Sequence, residues 1–154
     1  MSALKDQLHT DLVTAMKARD ALRTSTLRMA LAAITNAEVA GKEAKELTDE
    51  DVVTVLGSEA KKRREAAEAF AAGDRQELAD KEKAEAEILA TYLPEQLSAD
   101  EIKAIVTAAV ESAGAAGEGM KAMGKVMGIV SPQVKGKADG GAVAAEVKAQ
   151  LGAS

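Results

Sequence analysis

Apolar side chains recur every three or four positions along most of this chain and rarely alternate one by one, a spacing that predicts amphipathic helices rather than strands. Leu4, Leu8, Leu12 and Ala15 form the first stripe, opened by Ser2 as an N-cap and broken at Arg19-Asp20. A second stripe runs through Leu22, Thr26, Met29, Ala30, Ala33, Ile34 and Ala37, ending before Gly41, a helix stop. The charged GKEAKELT is a loop. Thr48, followed by Asp49, Glu50 and Asp51, sets a capping hydroxyl and acidic side chains at the positive end of a third helix. Its inward face is Val52, Leu56, Ala60, Ala67 and Phe70, and Gly73 closes it. A fourth helix spans Arg75 to Leu93, solvated over its charged first half and packed through Ile88, Leu89, Tyr92 and Leu93. Pro94 lacks a backbone N–H and restricts the residue before it, so the helix stops there.

Beyond that proline, Ser98 and Glu101 form a capping box for a fifth helix with Ile102, Ile105, Val106, Ala109 and Val110 inward. AGAAGEG, residues 113–119, ends it in a flexible loop. Met120 to Val130 has helical spacing, Pro132 to Gly140 is a turn, and Val143, Val147 and Leu151 give a last helical stripe. The expected architecture is all-α, with an N-terminal bundle of long helices over residues 1–94 and a small three-helix C-terminal domain over residues 95–154.

Composition supports that class. The 154 residues are rich in Ala, Glu, Lys and Leu, and Phe70 and Tyr92 are the only aromatic side chains. With no cysteine, disulfides, thiolate chemistry and Cys-ligated zinc are excluded, which suits a reducing cytosol. The N-terminus MSALKDQLHTDLV interleaves charge with apolar residues unlike a signal peptide, and no window approaches the roughly 20 apolar residues of a membrane span. A cytoplasmic protein without a membrane partner is expected. His9 is the only histidine and sits within the first helix, so no catalytic residue, metal ligand or cofactor site is assigned. Nucleotide-binding glycine loops of the Rossmann or Walker type follow a strand, and none is predicted; AGAAGEGM is read as a linker.

Charge is unevenly spread. The formal net charge is −5, yet residues 120–154 carry five basic and two acidic residues, an excess of +3, so a polyanion would bind the C-terminal end. Lys61-Lys-Arg-Arg64 is a second basic cluster, but consecutive helical residues point in different directions and Glu59, Glu65 and Glu68 stand nearby, which reads as a solvated face. Arg19, Arg23 and Arg28 are secondary candidates, with Arg19 and Arg23 sharing a face.

The stretch MGKVMGIVSPQVKGKADGGAV, residues 123–143, is the unusual one. Met120, Met123 and Met127 follow one helix face, while Gly124 and Gly128, four apart, leave a groove without side chains. One reading packs another helix of the same domain into that groove with the methionines as adaptable core; another runs a sugar-phosphate backbone beside the glycines with Lys121 and Lys125 supplying charge on an adjacent face, and both can be true of different faces. Further on, Lys135 and Lys137 flank Gly136, which can take positive φ just before the last helix, a combination that suits phosphate. Equally, the segment can be a solvated turn with Asp139 as N-cap.

STLRMALAAITNAE (25–38), ELADKEKAEAEILATYLPEQLSADEI (77–102) and the glycine-lysine stretch together resemble the GatB/YqeY family, most closely its free-standing YqeY-like members. The C-terminal unit is similar to the GatB tail domain of the glutamine-dependent tRNA amidotransferase and to a domain appended to some glutaminyl-tRNA synthetases. What the resemblance implies is contact with the body of a tRNA, away from the chemistry. It also implies a family label of carbon-nitrogen ligase with glutamine as amide donor, for which this chain has no large cradle domain or separate amidase.

The resulting expectation is a non-catalytic module binding tRNA or structured RNA through Lys121, Gly124, Lys125, Gly128, Lys135, Gly136 and Lys137, with an aminoacyl-tRNA synthetase or amidotransferase as a further partner. The alternative is a protein-protein adaptor that takes a partner helix on the Met/Gly face.

Overall fold

A computed structural model describes residues 2–152, and among them the chain is all-helical, with seven α-helices, one 3₁₀ turn and no strand. The helices are α1 (Ala3–Lys17), α2 (Ala21–Glu38), α3 (Asp49–Ala72), α4 (Gln76–Ala90), α5 (Ala99–Ser112), α6 (Met123–Val134) and α7 (Gly140–Gly152). The chain divides between Leu93 and Pro94 into two compact units.

In the first unit, side chains at the helix starts satisfy N–H groups that the helices leave free. Ser2 Oγ accepts from the Lys5 amide at 3.1 Å, Asp20 from Arg23, and Thr48 and Asp51 form a reciprocal box. The Ser2 hydroxyl also donates to the Asp49 carboxylate, which accepts from the Leu4 amide as well. These bonds, the Ser2 one first, hold the Asp49 carboxyl below its ordinary pKa and tie the start of α1 to that of α3. Lys5 and Glu38, 2.9 Å apart, join the same end of α1 to the end of α2. Between the helices lie Leu8, Leu27, Ile34, Val52, Leu56 and Leu89, all fully buried.

Several expected faces are rotated or shortened. On α2 the buried arc is centred on Leu27, Ala30, Leu31 and Ile34, while Met29, expected inside, is 47% exposed. The reason is that α2 packs against α1, α3 and α4 together, so its apolar arc is set by three neighbours rather than by one stripe. Helix α4 ends at Ala90, and Thr91 to Leu93 leave it in a tight turn before Pro94. The Tyr92 hydroxyl donates to Asp11, and burial, then this bond, pushes the phenol pKa up to about 12.

The larger correction concerns charge along α3 and α4, the most extensive helix contact in the molecule. The expected solvated faces there contain a buried ion pair: Arg63 and Glu85 are 6% and 4% exposed, with Nε and Oε2 3.3 Å apart. Leu56, Ala60, Arg63, Ala67 and Phe70 step along α3 by four and three, so Arg63 occupies a seam position. Its guanidinium also donates to the Glu59 carbonyl and lies against the Met29 sulfur, while Nε has no hydrogen bond of its own.

The second unit has no buried charged side chain among the described residues. Ser98 and Glu101 form the expected box at α5, and Ile102, Val106, Val126, Val130, Val147 and Leu151 make the core. AGAAGEG is a run of turns rather than an open linker: Gly114, Gly117 and Gly119 have φ of 62°, 81° and 70°, and Ala115 between them is fully buried. Met120 belongs to a 3₁₀ turn, Gly119–Ala122, and α6 runs on through Pro132 to Val134, so the expected turn is shorter, residues 135–139. At Pro132 the helix forgoes the bond that an N–H there would make to the Gly128 carbonyl.

Candidate functional site

Helix α6 presents two different faces. Inward, Val126, Val130 and Val134 repeat every four residues and are buried against the core. Outward stand Gly124, Lys125, Gly128 and Ser131, all exposed. A Cβ built at Gly124 or Gly128 meets no atom within 4 Å, and neither residue has positive φ. The expectation that a helix of the same domain packs into this groove is therefore overturned, while the methionine core holds in part: Met123 and Met127 are half-buried and pack against the core, and Met120 is 47% exposed. Met123 stands three residues before Val126 and four before Met127, so the two methionines border the inward valine face, while Met120 lies outside the helix in the 3₁₀ turn.

The lysines sit at both ends of that outer face. Lys121 is exposed in the 3₁₀ turn, not on the same helix as Lys125. Lys125 Nζ donates to the Ala113 carbonyl at 3.2 Å and lies 3.7 Å from Glu118, so part of its charge is met within the unit. At the other end, Gly136 adopts φ 76° and is flanked by exposed Lys135 and Lys137. The turn is held from within: the amides of Lys137 and Ala138 donate to the Val134 carbonyl, Leu97 N donates to the Lys137 carbonyl at 2.8 Å, and Gln96 Nε2 to that of Gly136 at 3.0 Å. Asp139 takes the capping role, its carboxylate accepting from the Gly141 amide at 3.3 Å. A carboxylate thus already uses an N–H of α7's first turn, and attraction for an outside anion rests on the lysine side chains.

Between the second half of α6 and the start of α7 lies an open pocket of about 610 Å³. Met127, Pro132, Val134, Ala138 and Val143 form its apolar walls, and Gly128 and Gly140 widen it by having no side chain. Ser131 and Lys135 are its polar side chains. The structure thus brings Gly128 and Lys135 to one pocket, with Gly124 one turn away and Gly136 and Lys137 in the adjoining turn; Lys121 and Lys125 mark the far end of the helix face.

Other sequence candidates scatter. His9 is exposed on α1. Arg19 lies in a turn with φ 57°, so it shares no helix with Arg23, which faces Asp20 at 3.8 Å; Arg28 lies against the Met16 sulfur. Lys62 pairs with Glu59 at 3.3 Å. Among the described residues no three His, Cys, Asp or Glu side chains are grouped to hold a metal ion, and no helix is long and apolar enough to cross a membrane. Sequence reasoning missed the pocket, although its signal, small residues at 128 and 140 around apolar 127, 134 and 143, was present.

Comparison with known proteins bears on nearly the whole chain. The model of a family described as Yqey-like protein matches residues 5–151. The chain is also 40% identical over 88 residues to the uncharacterized protein C22F3.15 of Schizosaccharomyces pombe, covering 56% of this chain and 69% of that protein.

Proposed function

The chain belongs to the YqeY-like protein family, and from that premise we propose that it is a non-catalytic helical module binding tRNA or another structured RNA through the outer face of α6 and the turn after it. One observation carries this: at Gly124 and Gly128 the helix leaves open space where a Cβ would meet nothing. Each costs roughly 1 kcal/mol against alanine in a helix, and neither a close contact nor a left-handed backbone requires it. A bare helix surface serves an outside partner that must come near the backbone. Lys121, Lys125, Lys135 and Lys137 around it favour a sugar-phosphate chain, and the second unit has no aromatic side chain for stacking single strands, which favours a folded RNA recognised by shape and phosphate. An amidotransferase or aminoacyl-tRNA synthetase would meet the same RNA in the cytoplasm, and amide transfer would be theirs.

The test is a tRNA titration at several salt concentrations. Replacing Lys125, Lys135 and Lys137 together by Ala should weaken binding and flatten the salt slope by roughly one unit per lost phosphate contact. An unchanged slope would refute the proposal. The apolar walls of the pocket favour a second reading, an adaptor that takes an apolar ridge of a partner helix. Binding of a protein that is insensitive to salt and to the lysine substitutions would support it instead.

A further inference from the structure

We infer that the pocket between α6 and α7 seats one unstacked nucleobase of the bound RNA, held as a flat apolar body rather than read along its edge; this rests on the RNA reading of the α6 face. The location comes first. Gly128 belongs both to the bare helix face and to the pocket, and Lys135 belongs both to the lysine turn and to the pocket, so a backbone lying on the face brings its own bases to the opening. At about 610 Å³ the pocket falls in the roughly 300–1,000 Å³ range of small-ligand sites.

The chemistry then selects the occupant. Met127 and Pro132 offer a polarizable thioether and a ring to the faces of a base, over a floor of the buried Val134 and Val143. Reading a base by its edge needs donors and acceptors in a fixed pattern. Here two of the nearby backbone groups are committed: the Val134 carbonyl to Lys137 and Ala138, and the Gly141 amide to Asp139. Only Ser131 and Lys135 offer polar side chains, both exposed. An extruded base carries a phosphate on each side, and Lys135 with Lys137 two residues on supplies the matching charge; an apolar protein side chain has no such requirement. The pocket therefore selects a base that is out of its stack, whichever base it is.

The experiment uses the full chain with ¹³C-methyl methionine, the Met127 signal being assigned with Met127→Leu, and two RNA hairpins identical except for one bulged nucleotide. The bulged hairpin should bind about tenfold tighter at the same salt, the scale of seating one base, and shift the Met127 methyl, with little dependence on whether the bulge is A, C, G or U. Gly140→Leu, at the first residue of α7 where an added Cβ meets nothing, should abolish that preference by filling the pocket while leaving the plain hairpin's affinity and the helix content intact. Equal binding of both hairpins with an unmoved Met127 methyl overturns the base pocket and leaves RNA binding standing. Failure of both hairpins to bind overturns the RNA reading itself, as does a Met127 shift produced only by an acidic amphipathic peptide.

Discussion

In α3 the run from Lys61 to Arg64 delivers one of its four cations, Arg63, into the seam with α4, where it meets Glu85, and sets Lys62 against Glu59 on the surface. The lysines at 121, 125, 135 and 137 of the second unit are all exposed, the last two on a turn whose carbonyls are held by Gln96 and Leu97. Each cluster has four basic residues. The difference is helical register: four consecutive residues cover the whole circumference of a helix, so one must face inward if a neighbour packs there, whereas lysines spaced around glycines on an outer face and a turn need not. A basic cluster therefore says little about partners until the face it occupies is known.

The strongest way to break this contrast is at Arg63. Arg63→Ala strands Glu85 in the seam and should cost roughly 3–5 kcal/mol, read from the urea midpoint by the fluorescence of Tyr92, the chain's one tyrosine, which lies in the first unit. Joining Arg63→Met to Glu85→Leu should recover most of that loss, because an apolar pair of similar size needs no desolvation. A single variant within the error of wild type would mean that the two clusters do not differ after all. In binding, a variant lacking Lys61, Lys62 and Arg64 should keep the wild-type salt slope for tRNA while the Lys125, Lys135 and Lys137 variant loses about three units. Equal slopes in both would remove the distinction.

Two smaller effects sharpen it. Gly124→Ala and Gly128→Ala should each stabilise the second unit by roughly 0.5–1 kcal/mol and weaken RNA binding; a gain in stability with undiminished binding would show that the bare face is not used. Finally, the two units should part company in alkali. The folded Tyr92 phenol titrates at about 12 against an ordinary 10, so its contribution is fully present below pH 10 and is lost as pH rises to 12. Melting followed through Tyr92 should fall over that window more steeply than in Tyr92→Phe followed by circular dichroism, and tyrosinate absorbance should appear late in the native protein and near pH 10 in denaturant.

Helix starts were legible because their signals are local. Ser2, Thr48 and Ser98 bond amides three residues on, and the Arg19-Asp20 break and the Pro94 stop act within a turn. The valine stripe of α7 was equally plain, since Val143, Val147 and Leu151 leave one choice of inward face. The stripe on α2 and the methionine face of α6 were not, because each offered two apolar arcs and only the positions of other helices select between them. The lysine turn was visible at Lys135, Gly136 and Lys137, but its bonds to Gln96 and Leu97 were not.

By itself the amino-acid order determined that the chain is helical, where most helices begin, and that its last third carries surplus positive charge around glycines. Those properties depend on spacing and on contacts within a single turn. Tertiary structure alone decided that Arg63 and Glu85 lie inside, that Tyr92 reaches Asp11 from 81 residues away, and that Gly124 and Gly128 face open space instead of a sister helix. A side chain's surroundings are set by whatever the fold brings opposite it, and that neighbour is written far off in the chain.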